Sequence, residues 1–170
     1  LLRYFNPAGA HPSIAIGEMP LGKPQNLVPA ITQTAIGRIP KMFVHGTDYP
    51  TRDGSNVRDY IHICDLARAH TLALQYLEQS KNKKPCEVFN LGSGEGVTVL
   101  EAIRAFEKVS GQQLNYVTGP RRPGDVELAG ARERSVEGAG QAAAQPEADG
   151  VRRHEQMHGT MARQMARWLA

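Results

Sequence analysis

Cysteine is scarce in this chain of 170 residues: there are two, Cys64 and Cys86, in apolar or strand-like surroundings and without paired spacing. That excludes a disulfide framework and a thiolate metal site. No signal-peptide pattern opens the chain, so a reduced, cytoplasmic protein is expected. No apolar run approaches the roughly 20 residues that a membrane-spanning helix needs. Charge of one sign is also lacking. Twenty Lys plus Arg against 17 Asp plus Glu leave +3, too little to suggest a nucleic-acid partner, whose binding face concentrates basic residues. An initiator Met is missing too; the chain starts on the strand-like Leu1-Leu2-Arg3-Tyr4-Phe5, as if in mid-protein.

The last stretch lacks most of what builds a core. From Leu128 onward there is no Ile, Phe or Tyr, and no helical stripe is sustained until Met157, Met161 and Met165. Residues 1–127 therefore read as the folded domain, and residues 128–170 as an atypical tail, disordered or produced by a frameshift shortly after Glu127.

What is present alternates between strand and helix. Asn26 precedes an apolar set, Leu27, Ile31 and Ala35, with Pro29 in the first turn, and this helix is expected to end near Gly37. Met42-Phe43-Val44 reads as a short strand and residues 46–56 as a long surface loop. Asp65 is placed to cap a second helix with Leu66, Ala69, Ala73, Tyr76 and Leu77 on one face. Val88-Phe89-Asn90-Leu91 reads as a short buried strand. Thr98 with Glu101 forms a capping-box signature, followed by Val99, Ile103 and Phe106 on one face and by Gly111 at the end. A third strand is expected over 114–117. Alternation of this kind indicates the α/β class. Three short strands are too few for a self-standing doubly wound sheet, which fits a part that packs on a nucleotide-binding half.

The most informative stretch is GTDYPTRDGSNVRDYIH, residues 46–62. Around it stand LLRYFNPAGAHPS, NLVPAITQTAIGR, IHICDLARAH, FNLGSGEGVTVLEAIRAFEKVSG and RRPGD. In order and spacing, through about Glu127, these blocks resemble the UDP-hexose 4-epimerase branch of the extended short-chain dehydrogenases. The resemblance implies the C-terminal, substrate-binding part of an extended Rossmann-type epimerase fold, with the N-terminal NAD-binding half absent. It further implies NAD as cofactor, a UDP-sugar as substrate, interconversion of UDP-glucose and UDP-galactose in galactose metabolism, and a homodimer for the complete protein.

Residue by residue, the resemblance implies that Arg58 and Arg122 contact a pyrophosphate, for which the guanidinium fork is suited. Asp125 would accept from a ribose hydroxyl, and Asn6, Asn26 and Leu27 would meet the nucleotide. Phe43, Val44 and His45 would form the strand under the uracil, a ring that needs an amide-like edge and a flat apolar wall. Phe5 would lie beside the nicotinamide. His45 stands where the family commonly has Phe, and Ala129 where relatives carry a residue that limits the sugar pocket. Each has a plainer reading: Arg58 and Asp59 as a surface ion pair, Asn6 and Asn26 as turn and cap, Asp125 as the close of a turn. A related NDP-sugar epimerase or dehydratase, or a non-catalytic UDP-binding fragment, shares the same residues.

Two motifs invite other chemistry. Gly92-Ser-Gly-Glu-Gly96 follows a strand and precedes a helix, but Val97 occupies the last glycine position of a phosphate loop, so a tight turn is the expected role. His154-Glu-Gln-Met-His158 is a literal H-E-x-x-H without the usual downstream third ligand, and no zinc is expected. His11, His62 and His70 are scattered and read as structural. No Tyr-x-x-x-Lys pair is present: Tyr4, Tyr49, Tyr60, Tyr76 and Tyr116 are followed four residues later by Ala8, Asp53, Cys64, Ser80 and Pro120. No catalytic residue is therefore assigned, and the chain alone is expected to be inactive.

Overall fold

The computed structural model describes residues 1–13, 15–94 and 96–129, apart from the side chain of Ala129. Three helices and eight short strands fill them, an α/β arrangement as the alternation predicts. The strands are β1 (Leu2–Tyr4), β2 (Asn6–Ala8), β3 (Met42–His45), β4 (Val57–His62), β5 (Phe89–Leu91), β6 (Gly96–Thr98), β7 (Tyr116–Gly119) and β8 (Leu128–Ala129). The helices are α1 (Leu27–Ala35), α2 (Ile63–Glu78) and α3 (Val99–Ser110).

Three small sheets result. β1 pairs with β5 in parallel, and β3 pairs with β7 in parallel. The third is centred on β4, which takes β2 in parallel at residues 60–62, β6 antiparallel at residues 57–59, and β8 in parallel at residues 57–58. Expecting only three strands overlooked β2, β6 and β8, each too short to show a period, and β4, which lies inside the charged Val-Arg-Asp-Tyr run. Its charged side chains find carboxylate and backbone partners, so polarity does not keep it out of a sheet.

The core lies where α1 and α3 cover β3. Ile31, Met42, Val44, Ile103, Phe106 and Leu114 are buried together. α1 begins after Asn26 as expected, though the Asn26 amide donates to Glu18 (2.8 Å) and makes no side-chain cap. α3 carries the full capping box between Thr98 and Glu101, and Gly111 ends it in the left-handed conformation. At α2 the expected cap is corrected: β4 runs directly into the helix, and His62, whose ring accepts from the Cys64 N–H, takes the place expected for Asp65, which falls in the first turn.

The stretch 46–56 is not a loose surface loop. Tyr49, Ser55 and Asn56 are buried. Asp53 accepts from the Ser55 N–H and hydroxyl and from the Thr98 hydroxyl (2.6 Å), and Ser55 Oγ in turn accepts from the Leu100 N–H. Arg52 bridges to Glu101 and to the Gly96 carbonyl. These bonds lock the loop onto the first turn of α3.

The expected strand over 88–91 forms as β5 but is only half-buried, and the third expected strand forms two residues later as β7, with Leu114 in the core before it. On α2, Leu66 is buried, whereas Leu77 is exposed. Both cysteines are free. Among the described residues no helix is long and apolar enough to cross a membrane.

Candidate functional site

β3 and β7 run in parallel and end together at His45 and Gly119, where the loop 46–56 and the segment 120–127 begin. The carboxyl ends of parallel strands are where open α/β sheets collect their ligands. The two segments are stitched to each other. The Gly46 N–H donates to the Gly119 carbonyl, the Asn56 side chain to Val126 O, and the Val57 N–H to Glu127 O (2.8 Å).

Within the second segment, Arg122-Pro123-Gly124-Asp125 makes a tight turn closed by the Asp125 N–H donating to Arg122 O at 3.1 Å. Pro at the second position presets φ, and Gly at the third, with φ +76°, adopts the sign that the turn requires. The turn brings Asp125 to Arg58 on β4, with Arg122 on the other side of the same carboxylate. Arg58 Nη2 donates to Asp125 Oδ1 (2.5 Å), and Arg122 Nε lies 4.0 Å from Asp125 Oδ2. Arg58 Nη1 also donates to Val57 O and Val126 O, so the guanidinium is held in place, and among the described residues no acceptor takes its remaining N–H donors. Three residues singled out in the sequence, Arg58, Arg122 and Asp125, thus meet across 67 positions. Two cations share one carboxylate, leaving net positive charge and planar donors suited to an anionic group such as phosphate.

Arg58 is not paired with Asp59. Neighbours on a strand face opposite ways, and Asp59, 3% exposed, points into the molecule instead. Its carboxylate accepts from the Ser93 N–H (2.8 Å), the Ser93 hydroxyl and the Gly94 N–H (3.1 Å). The glycine-rich 92–96 loop therefore spends these donors on a carboxylate of its own chain, which supports its reading as a turn. Next along β4, burial pushes the Tyr60 phenol up to about 12, against the opposing charge of Arg58.

Asn6, on β2, lies opposite Tyr60 and donates from its amide to the Asp59 carbonyl at 3.1 Å, next to Arg58 in the chain. Phe5, between β1 and β2, presents an exposed ring. β3 has two unlike faces. Met42 and Val44 face the core, whereas Phe43 is 48% exposed and stacks loosely on His45, ring centroids 6.2 Å apart and 25° from parallel. Phe43 also reaches the end of β7, 3.9 Å from where a β-carbon on Gly119 would stand.

The Met42 and Gly46 N–H groups donate to Asn115 O and Gly119 O, beside β7. By the alternation of a strand, the N–H and C=O of Phe43 and His45 face the other edge, where among the described residues no strand pairs. β3 thus offers an open donor–acceptor edge next to two flat rings. The Val44 side chain is in the core and its N–H and C=O lie on the β7 side of β3, while Leu27, at the start of α1, packs its side chain against the core. Asn26 lies beside Glu18, and nothing described joins it to the arginine pair.

Arg121 escaped the sequence reading. Its Nε donates to Asp48 Oδ1 (2.9 Å), its Nη2 to Asp48 O (2.6 Å), and its guanidinium lies 4.0 Å from the centre of the Tyr49 ring. The Arg121 hydrogen bond holds the Asp48 carboxyl below its usual range. Doubled arginine was the only signal, and it does not reveal which of the two faces inward. His62 and His70 act structurally, His70 through a contact with Leu66 O and an edge-on meeting with Tyr4. His154, His158 and the expected frameshifted tail lie outside the described residues, as does the Ala129 side chain.

Comparison with known proteins adds to this geometry. Residues 1–92 match the NAD dependent epimerase/dehydratase family. The chain is 53% identical over 137 residues to UDP-glucose 4-epimerase 1 of Oryza sativa subsp. japonica, covering 81% of this chain and 39% of that protein. Among solved structures it resembles the UDP-glucose 4-epimerase of Stenotrophomonas maltophila with bound NAD and formylated UDP-arabinopyranose (TM-score 0.77, 40% identity, 99% of this chain and 46% of the other). It also resembles the Bifidobacterium longum enzyme in complex with NAD+ and UDP (TM-score 0.75, 38% identity, 98% and 46%). The chain spans about two-fifths of the length of the rice relative and under half of the two solved structures.

Proposed function

The chain belongs to the NAD dependent epimerase/dehydratase family, and from that premise we propose that it supplies the UDP-sugar-binding part of a UDP-glucose 4-epimerase, an enzyme that interconverts UDP-glucose and UDP-galactose. One observation carries the proposal: Arg58 and Arg122 converge on Asp125 in the segment that follows β7, and β3, the partner of β7, carries two stacked rings and an open edge. Arg58 and Arg122 take the pyrophosphate with their remaining N–H donors, while Asp125 orients both and accepts from a ribose hydroxyl. The backbone edge at Phe43 and His45 matches the alternating carbonyl and N–H edge of uracil, and the two rings form its wall. Val44 fixes the strand from the core side, Leu27 offers its first-turn N–H, and Asn6 and Asn26 border the nucleotide.

NAD, when bound, supplies a hydride acceptor and donor. Of the described residues Phe5 fits beside it, as an exposed ring, and the Gly92–Gly94 turn does not serve as its phosphate cradle because Asp59 occupies the loop's donors. The dinucleotide site and the proton-moving groups belong, on this reading, to polypeptide other than residues 1–129. Support comes from α2, whose exposed Ile63, Leu74 and Leu77 recur on one side of the helix next to its packed face. What this chain's own residues do is hold the nucleotide while the sugar reaches the cofactor, which places the reacting carbon without adding chemistry of their own. The complete enzyme is proposed to act as a homodimer.

Titration of the chain with UDP, which has no sugar, tests the nucleotide contact directly. Arg58→Ala is expected to cost about 1.5–3 kcal/mol of UDP binding, or roughly 10- to 150-fold in Kd. Unchanged affinity sinks the assignment of Arg58.

A further inference from the structure

The Arg122–Asp125 turn holds two of the proposed ligand groups, yet its single internal hydrogen bond does not set its height against Arg58. That height is set at its two ends. The downstream end is tied by Val126 O, which accepts from Asn56 and Arg58, and by Glu127 O, which accepts from the Val57 N–H. The upstream end is tied by Arg121. Its planar guanidinium is oriented twice, by a fork of hydrogen bonds to Asp48 and by stacking on Tyr49, a ring 5% exposed. Arg121 and Tyr49 close over Gly46. A β-carbon there would stand 2.3 Å from Tyr49 Cε2 and 2.9 Å from Arg121 Cγ, and the residue has φ +76°, so glycine is needed for the stack to sit flush. The Gly46 N–H then donates to Gly119 O, which closes the clasp one residue before Pro120.

We infer that Arg121 is a positioning residue for the nucleotide site: its clasp on Asp48 and Tyr49 fixes the Arg122–Asp125 turn in register with Arg58, an inference that rests on the UDP-binding reading above. Arg121 does this without turning its fork toward the ligand, because Nε and Nη2 are spent on Asp48 and one face is covered by Tyr49. Adjacent arginines thus divide the work, Arg122 facing the phosphates and Arg121 holding the turn.

The test uses the 170-residue chain with UDP as probe and hydrogen exchange at the Gly46 and Val57 amides as a ligand-free readout. Arg121→Leu removes fork and charge. It is expected to weaken UDP about five- to twentyfold, in the range of coupled neighbouring groups, and to speed exchange at Gly46 by about tenfold. Arg121→Lys keeps a cation over the Tyr49 ring and one donor for Asp48 but loses the planar fork, so its UDP affinity should fall between those of the parent and the leucine variant. In an Arg58→Ala background the leucine substitution should cost less than in the parent, since the register no longer matters once Arg58 is gone. If the leucine chain does not fold, Asp48→Asn provides the second comparison, with a smaller loss in the same direction because the Asp48 carbonyl remains.

Unchanged exchange and affinity in Arg121→Leu overturn the inference. So does an Arg121→Lys chain as weak as the leucine one, or a leucine effect fully additive with Arg58→Ala, since either outcome marks a direct contact or a local packing role. If the parent chain does not bind UDP while the leucine variant still exchanges faster, the UDP reading fails and the clasp stands.

Discussion

Around α3, Ile103 and Phe106 have no exposed surface and meet Ile31, Met42, Val44 and Leu114; along α2, a longer helix, Leu66 is buried while Leu74 and Leu77 are each 58% exposed. Both helices are amphipathic in sequence. The difference is that the apolar face of α3 finds α1 and β3 within the chain, whereas the corresponding face of α2 meets β2 and β4 along part of its width and leaves a second stripe uncovered. An apolar stripe therefore states that a helix will be covered, and not by what. The candidate site belongs to the well-packed side. Its loop 46–56 is locked to α3, and Arg58 stands on β4, joined through Asp125 to Arg122.

The largest break in this comparison comes from the core. Phe106→Ala is expected to destabilise the chain by about 3–5 kcal/mol, read from urea unfolding, because a fully buried ring is lost and a cavity remains. Leu74→Ala should stay within about 0.5 kcal/mol, as exposed substitutions do. Similar losses at the two positions would show that α2 is packed as fully as α3.

A smaller effect sharpens the boundary between the two sides. Asp59 reaches from β4 to Ser93 and Gly94, just beyond β5, and so ties the site's sheet to the β1–β5 sheet. Asp59→Asn keeps the shape but turns one acceptor into a donor facing N–H groups. A loss of about 1.5–3 kcal/mol is expected, with the Ser93 amide exchanging faster than amides in α3. A neutral outcome would mean that the loop holds itself.

The smallest effect is in acid. The Arg52 hydrogen bond, with help from the Thr98 N–H, holds Glu101 below its ordinary 4.5. Burial alone would raise Asp53, but hydrogen bonds from Thr98 and Ser55 and the charge of Arg104 outweigh it and hold it below 3.8. Folded values below unfolded ones mean that this stabilisation is complete above about pH 4.5, and is lost as pH falls through the lowered folded values. The junction of loop 46–56 with α3 should loosen first. Comparing urea midpoints at neutral and acid pH checks this: Asp53→Asn combined with Glu101→Gln should flatten the acid decline, and an unchanged decline would place its cause elsewhere.

Much of this was legible because it is local. The Thr98–Glu101 box and the stop at Gly111 are separated by single turns of chain, so residue types and spacing suffice. The Arg122–Asp125 turn is equally local, with Pro and Gly each placed where one backbone angle demands them. The alternation of β3 between core and open face follows from the period of a strand. β4 was not legible, because Arg58 and Asp59 look like solvated charges until their partners are known. The Asp65 cap was misread for a related reason: with no turn between β4 and α2, the helix starts earlier than any cap signal suggests.

Sequence alone determined the three helices, three of the strands and the α/β class, since propensity, periodicity and turn chemistry act over a few residues, while the residues able to hold a nucleotide were named by resemblance. Only tertiary structure decided that Arg58 belongs to Asp125 and not to its neighbour Asp59, and that Asp59 fills the glycine loop. It also decided that Arg121, not Arg122, grips Asp48. Each of these is a choice among several chemically equivalent partners. Charge and hydrogen-bonding capacity do not distinguish them, and what does is which strand face each side chain leaves from and which loop the packing of β3 and β7 brings within about 3 Å of it.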